Sequence, residues 1–176
     1  MRVSQSRIFR NLVEGQPHET LAMQLPHANI RSSSYLIGEM LLRCPQCSRL
    51  CRVLALALPP NHETLEEGEW QKVDAPAFIF HVASLPDTIS QHLLERCADF
   101  HPTCVADSAQ FNWANHCPGC ARTFSDDELH CEPGAFMSGD ALEAQAISLT
   151  HVQQAFGALA AGYALDPEFF ASMRTR

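Results

Sequence analysis

Four of the eight cysteines in this 176-residue chain fall in two copies of one motif, Cys44-Pro45-Gln46-Cys47-Ser48-Arg49 and Cys117-Pro118-Gly119-Cys120-Ala121-Arg122. Two thiols at this spacing on a tight turn point the same way, and backbone N–H groups of the turn donate to the sulfurs and ease their negative charge. Two such turns supply the four thiolates of a closed, tetrahedral structural zinc site. Cys44, Cys47, Cys117 and Cys120 are therefore the expected ligands of one structural Zn²⁺. Four thiolates overcompensate a divalent ion, and Arg49 and Arg122, two positions after each second cysteine, are placed to offset the excess. One feature runs the other way. The position after the second cysteine favours glycine because its φ is positive, yet it holds Ser48 and Ala121. Gly119 relaxes the second turn only.

Other chemistries use some of the same residues. A Cys-x-x-Cys dithiol at a helix start has a lowered thiol pKa and exchanges disulfides, but here strand-like segments precede both pairs. A zinc deaminase needs His-x-Glu before Pro-Cys-x-x-Cys. The one His-x-Glu, His130-Cys131-Glu132, follows both pairs, and neither pair has proline just before its first cysteine. Four thiolates also leave no open position for a metal-bound water, which disfavours catalytic zinc. Ser108, His101 and Asp107 make a hydrolase triad on paper, without a G-x-S-x-G elbow to support it. Cys51, Cys97, Cys104 and Cys131 share no pairing pattern and read as packing residues, with Cys51 or Cys131 available as a substitute ligand. His116 and His130 flank the second motif and read as hydrogen-bonded or exposed side chains. Trp70, Trp113 and Tyr163 read as core or rim aromatics.

Composition frames these residues. An apolar fraction of 46% with 18% charged residues describes a globular chain with a sizeable core. No apolar run approaches the roughly 18–20 residues of a membrane span, and no continuous apolar stretch near the N-terminus reads as a secretory leader. The expected compartment is the cytoplasm, where cysteines serve as thiols or metal ligands. Charge is uneven: residues 1–52 carry seven arginines against three glutamates, while the remaining positions hold five basic and seventeen acidic side chains. The basic third is expected to meet the acidic remainder within one fold.

The elements around the motifs follow from pattern. Ser32–Cys44 and Cys51–Pro59 are apolar segments before and after the first motif, which predicts a hairpin with the motif at its tip. Residues 1–33 form an arm or short helical segment, with RIFRNLVEG as a short helix ending at Gly15. Asn61–Pro76 is polar and acidic and reads as an exposed loop or a short amphipathic piece. AFIFHVASLP reads as a strand, and DTISQHLLERCADF as a helix capped by Asp87. SAQFNWANHC is a strand running into the second motif, and the stretch beyond it turns at Pro133-Gly134. SLTHVQQAFGALAAGYAL places Leu149, Val152, Phe156 and Leu159 on one helical face, and Asp166-Pro167 starts a last turn. The expected fold class is α+β. A zinc-ribbon-like pair of β-hairpin knuckles over 34–140 carries an inserted strand–helix segment, and a C-terminal helical segment over 141–176 packs on it.

The pattern WANHCPGC…LHCEPGAF within Ser108–Phe136, with an earlier Cys-x-x-Cys before a Val-rich strand, resembles a group of uncharacterised bacterial zinc-ribbon-like proteins with paired knuckles. The resemblance spans about residues 40–140. It implies Cys44, Cys47, Cys117 and Cys120 as ligands, and Asn115, Glu132 and Pro133 as shapers of the turn. The chain departs from that group at Ala121 and at Phe124–Glu128, where the group has glycine and a Gln-Gly-Asp-Phe-like run. The resulting expectation is a non-enzymatic zinc-binding module with a protein partner. A nucleic-acid-binding zinc ribbon using the N-terminal arginines, and a thiol-based redox or metal sensor, are its alternatives.

Overall fold

A computed structural model describes residues 5–8, 27–104, 110–130, 135–137 and 141–175. Two nine-residue strands, β3 (Tyr35–Arg43) and β4 (Leu50–Leu58), form the predicted hairpin, in register from Leu36↔Ala57 to Arg43↔Leu50. Side chains alternate across a strand, so Leu54, Leu56 and Leu58 enter one core while Cys51, Val53, Ala55 and Ala57 enter another. Burial on both faces is why β4 reads as an almost unbroken apolar run.

The hairpin lies inside a large sheet. It comprises β1 (Gln5–Ile8), β2 (Ile30–Ser32), β3, β4, β5 (His62–Glu66), β6 (Glu69–Val73), β7 (Ala77–Ser84), β11 (Ser148–Val152), β12 (Phe156–Leu165) and β13 (Arg174–Thr175). Their order is β13-β11-β3-β4-β7-β12-β2-β5-β6, with β1 also on β12. Every ladder is antiparallel except β11–β13. A second sheet, β10-β9-β8, joins β8 (Phe100–Cys104), β9 (Phe111–His116) and β10 (Thr123–Phe124). Helix α1 (Asp87–Arg96) contributes Ile89 and Leu93 to the first core, alongside Phe100 and Trp113. The short helices α2 (Asp126–His130), α3 (Ala141–Ala144) and α4 (Pro167–Ala171) close the second with Leu129, Ala144, Phe169 and Phe170.

This overturns the expected α+β fold, a zinc-ribbon-like domain over 34–140 with a C-terminal helical segment packed on it: both hairpins belong to larger β-sheets. The described chain is mainly β, and the longest helix has ten residues. No C-terminal helix spans Ser148–Leu165, where β11 and β12 run instead. Leu149, Val152, Phe156 and Leu159 fit a helical period, but Phe156, Ala158 and Ala160 fit a strand period equally, and they are the buried set. β7 and β2 offer ladder partners on both sides of β12, and tertiary pairing outweighs local periodicity. The expected loop over 61–76 is the hairpin β5–β6, turning at Glu67 and Gly68 with φ of 52° and 84°. Two successive left-handed residues suit the twist of a two-residue hairpin turn. Helix α1 has Pro86 at its N-cap rather than Asp87, which is the first helical residue. Asp166 does cap α4, accepting from the Phe169 N–H at 3.0 Å. The short helix expected over 7–15 lies outside the described residues, apart from Arg7 and Ile8 in β1.

An irregularity in β7 makes room for the second sheet. β7 pairs with β4 only from Ala77 to Ile79. Two residues on, His81 adopts a left-handed φ of 52°, and its N–H donates to the carboxylate of Asp126. The strand thereby leaves the ladder of β4, and β9 lies against both. Burial raises the pKa of that Asp126 carboxyl.

Beside it, His130 is 3% exposed and packed among the rings of Phe78, Phe80 and Phe136. Its Nδ1 has no hydrogen-bond partner among the described residues. Burial, reinforced by nearby His81, pushes its pKa down to about 3. The unfolded chain takes up that proton near pH 6.5, whereas the folded chain resists it until about pH 3. Acidification through that window therefore favours unfolding. Between pH 7 and pH 5 this one group should cost about 2 kcal/mol of stability. His130→Leu should flatten the pH dependence of the urea midpoint over the same interval.

Candidate metal centre

Each Cys-Pro-x-Cys motif sits at a hairpin tip, the first between β3 and β4, the second between β9 and β10. The turns repeat one hydrogen-bond pattern. In the first, Ser48 N–H donates to the Cys44 carbonyl and Cys44 N–H donates to the Arg49 carbonyl, both at 2.8 Å. In the second, Ala121 N–H donates to the Cys117 carbonyl at 2.9 Å and Cys117 N–H to the Arg122 carbonyl at 2.8 Å. Ser48 and Ala121 adopt φ of 61° and 57°, the left-handed conformation that glycine takes without penalty. The geometry needs a positive φ there, and the chain meets it with L side chains at a cost of about 1 kcal/mol each. Ser48→Gly and Ala121→Gly should each raise stability by roughly 0.5–1 kcal/mol in urea unfolding, the gain being trimmed by glycine's greater freedom in the unfolded chain.

The four sulfurs lie within 4.8 Å of one another. Cys44 Sγ is 3.7 Å from Cys120 Sγ, and Cys47 Sγ is 3.4 Å from Cys117 Sγ. A tetrahedral shell with Zn–S bonds of about 2.3 Å has sulfur–sulfur edges of about 3.8 Å. The cluster therefore has the dimensions of a metal site, formed by cysteines seventy positions apart in sequence. Cys44 and Cys117 are buried, Cys120 is half-buried and Cys47 is exposed.

The electrostatics point the same way. Burial opposes ionisation of Cys117, but N–H groups of Gly119 and Cys120 and the thiols of Cys47 and Cys51 donate to its sulfur, bringing its pKa down to about 6. At Cys120 the Arg122 backbone favours ionisation, but burial and the neighbouring thiols outweigh it and push the pKa up to about 12. One thiolate thus forms readily and the next resists, as expected for crowded like charges without a cation between them. A divalent ion would remove that resistance.

The two arginines flank the centre in different ways. Arg122 pairs with Glu128 at 2.8 Å, lies over the Phe124 ring, and is held charged first by Glu128 and further by Cys44 and Cys120. Arg49 crosses the second turn: a methyl group at Gly119 would lie 2.8 Å from Arg49 Cδ and 3.4 Å from Cys47 Sγ. Bare glycine is what admits the arginine there.

Asn115, two residues before Cys117, docks the second turn onto the first. Its side-chain Oδ1 accepts from Leu54 N–H and its Nδ2 donates to the Leu54 carbonyl, both at 2.8 Å, and the residue is 1% exposed. Leu54 lies on β4 where β7 has departed, so one carboxamide replaces the missing strand partner. Asn29 repeats the device at Ala160, with bonds of 2.7 and 2.9 Å at the register shift of β12. Composition and spacing give no reason to single out Asn115; the family resemblance names it as a shaper of the turn, but nothing in the sequence points to Leu54 as its partner.

The remaining candidates are dispersed. Cys51 is fully buried against the cluster, its thiol pushed up to about 11 by burial first and by Cys117 next. Cys97 packs in the first core and Cys104 is exposed. His116 points away from the sulfurs, stacked on His101 with ring centroids 3.9 Å apart and bonded to Thr103 Oγ1 at 2.8 Å. Cys131, Glu132, Pro133, Asp107 and Ser108 lie outside the described residues. Of the basic N-terminal third, Arg31 pairs with Glu63 and lies 4.0 Å over the Trp70 ring, and Arg52 pairs with Glu39. Among the described residues no helix is long and apolar enough to cross a membrane. Comparison with protein-family models, curated proteins and solved structures finds no match to the chain.

Proposed function

We propose that this chain is a non-enzymatic zinc protein whose single ion, held by Cys44, Cys47, Cys117 and Cys120, is structural, and that the folded module works by binding another protein. The observation that carries the reading is the four-sulfur cluster, built by two turns of the same hydrogen-bond pattern. All-thiolate donors at tetrahedral spacing favour zinc over harder cations. A complete thiolate shell leaves no position for a reacting water, which supports a structural role. Pairing of Arg31 with Glu63 and its stacking on Trp70 within the fold support a protein partner over nucleic acid.

Metal analysis of chain purified under reducing conditions should return one zinc per chain. A wild-type chain without zinc, or one that keeps its full complement after Cys117→Ser, would sink the reading.

A further inference from the structure

Beyond the metal centre, the β3–β4 hairpin ends in a face that nothing in the described fold covers. Leu41 and Leu50 are 60% and 52% exposed. The pairs Leu41↔Arg52 and Arg43↔Leu50 put all four side chains on one face, because residues opposite each other across a ladder share a side. The other face of the same tip carries Met40, Cys51 and Val53 into the second core, so the tip is braced from behind and cannot fold over its own leucines.

The backbone is open at the same residues. The Cys44 N–H bond to the Arg49 carbonyl fixes the alternation of the antiparallel ladder, so residues 41, 43, 50 and 52 direct their N–H and C=O groups outward. Lower on β3 the outward set pairs with β11 from Tyr35 to Glu39. On β4 it is taken by Asn115 at Leu54 and by β7 from Leu56. At the tip neither strand has a ladder partner among the described residues.

Charge selects the partner. Arg52 and Arg96 both contact Glu39, each at 2.5 Å, so two guanidiniums share one carboxylate. Arg43 adds a third, bonded among the described residues to the Ser48 carbonyl. Single-stranded nucleic acid is bound through aromatic stacking platforms, and this face offers leucines instead.

We propose that the tip face formed by Leu41, Arg43, Leu50 and Arg52 is a docking site for an extended segment of a partner protein that alternates acidic and apolar residues and adds to the open edge of β3 beside Leu41 and Arg43. Such a segment matches the site by main-chain bonds for affinity and alternate side chains for specificity. The inference rests on the reading of the chain as a protein-binding module.

The test titrates zinc-loaded, isotope-labelled full chain with a synthetic peptide alternating Glu and Leu, with a Lys/Leu peptide and an oligothymidylate as comparators. The Glu/Leu peptide should shift the amides of Leu41, Arg43, Leu50 and Arg52. Its affinity should fall at least about tenfold in Leu41→Ser/Leu50→Ser and in Arg43→Glu. All four positions are exposed, so zinc content measured on the same samples should equal that of wild type. If the zinc is present and the Glu/Leu peptide fails to bind, binds the variants equally, or is outcompeted by oligothymidylate, this docking site is wrong while the metal reading stands. If zinc is absent, the metal reading fails first.

Discussion

Chelating the metal, or replacing Cys117 by serine, is expected to lower the melting temperature by on the order of 10 °C or more. The four sulfurs connect two hairpin tips that also meet through the Asn115–Leu54 bonds, Arg49 over Gly119 and the second core. Cys44, Cys51 and Cys117 belong to the second core with Phe124 and Leu129, so losing the ion removes a cross-link and leaves crowded thiols in an apolar setting. Structural zinc supplies roughly 10–16 kcal/mol in peptides that depend on it entirely. This chain also has a first core that does not touch the cluster, so a loss of roughly 3–5 kcal/mol is the expected share. At this chain length each kcal/mol moves the melting temperature by about 2–4 °C. Hydrogen exchange should localise the damage, with protection lost over 40–53 and 110–130 and kept in β7 and β12. Identical melting of Cys117→Ser and wild type would mean the cluster holds nothing together.

The second large effect belongs to Asn115. Asn115→Ala should cost about 2–4 kcal/mol, because Leu54 N–H and C=O would both stay buried without partners. Asn115→Asp should be no better: it keeps an acceptor for the N–H but sets a carboxylate against the Leu54 carbonyl. Asn115→Gln reaches too far to restore both bonds. Denaturant midpoints across the three variants decide the matter, and an alanine variant as stable as wild type would show the carboxamide to be dispensable. Weakened zinc retention in Asn115→Ala would further show that this bond positions the second turn.

What the sequence made legible was local. The paired motifs, the β3–β4 hairpin and α1 announce themselves through spacing, alternating apolar runs and a proline stop, each read within one segment. The architecture depends on relations between distant segments. Whether Ser148–Leu165 coils or extends is decided by β7 and β2, which lie outside any window containing it. The resemblance marks Asn115 as a shaper of the turn, but what its carboxamide holds appears only when Leu54 is found opposite with no strand beside it. The absence of glycine at Ser48 and Ala121 reads as evidence against knuckle turns, yet both residues adopt the left-handed φ. Two L residues can carry that strain when the surrounding hydrogen bonds fix the turn.

The spacing of the two hairpins also sets an order of events during synthesis. Cys44 and Cys47 emerge 73 positions before Cys117 and Cys120, an interval of roughly 4–15 s at about 5–20 residues per second. During that time the nascent chain holds a half-site, two thiols on an exposed tip with neither a full ligand set nor the Leu54 clasp. On the zinc reading proposed above, metal capture would follow translation of the second hairpin and record that the two hairpins have met. A chain truncated before Asn115 would carry the first cysteine pair as reactive thiols, which makes alkylation of Cys47 a chemical stopwatch for completion of this protein.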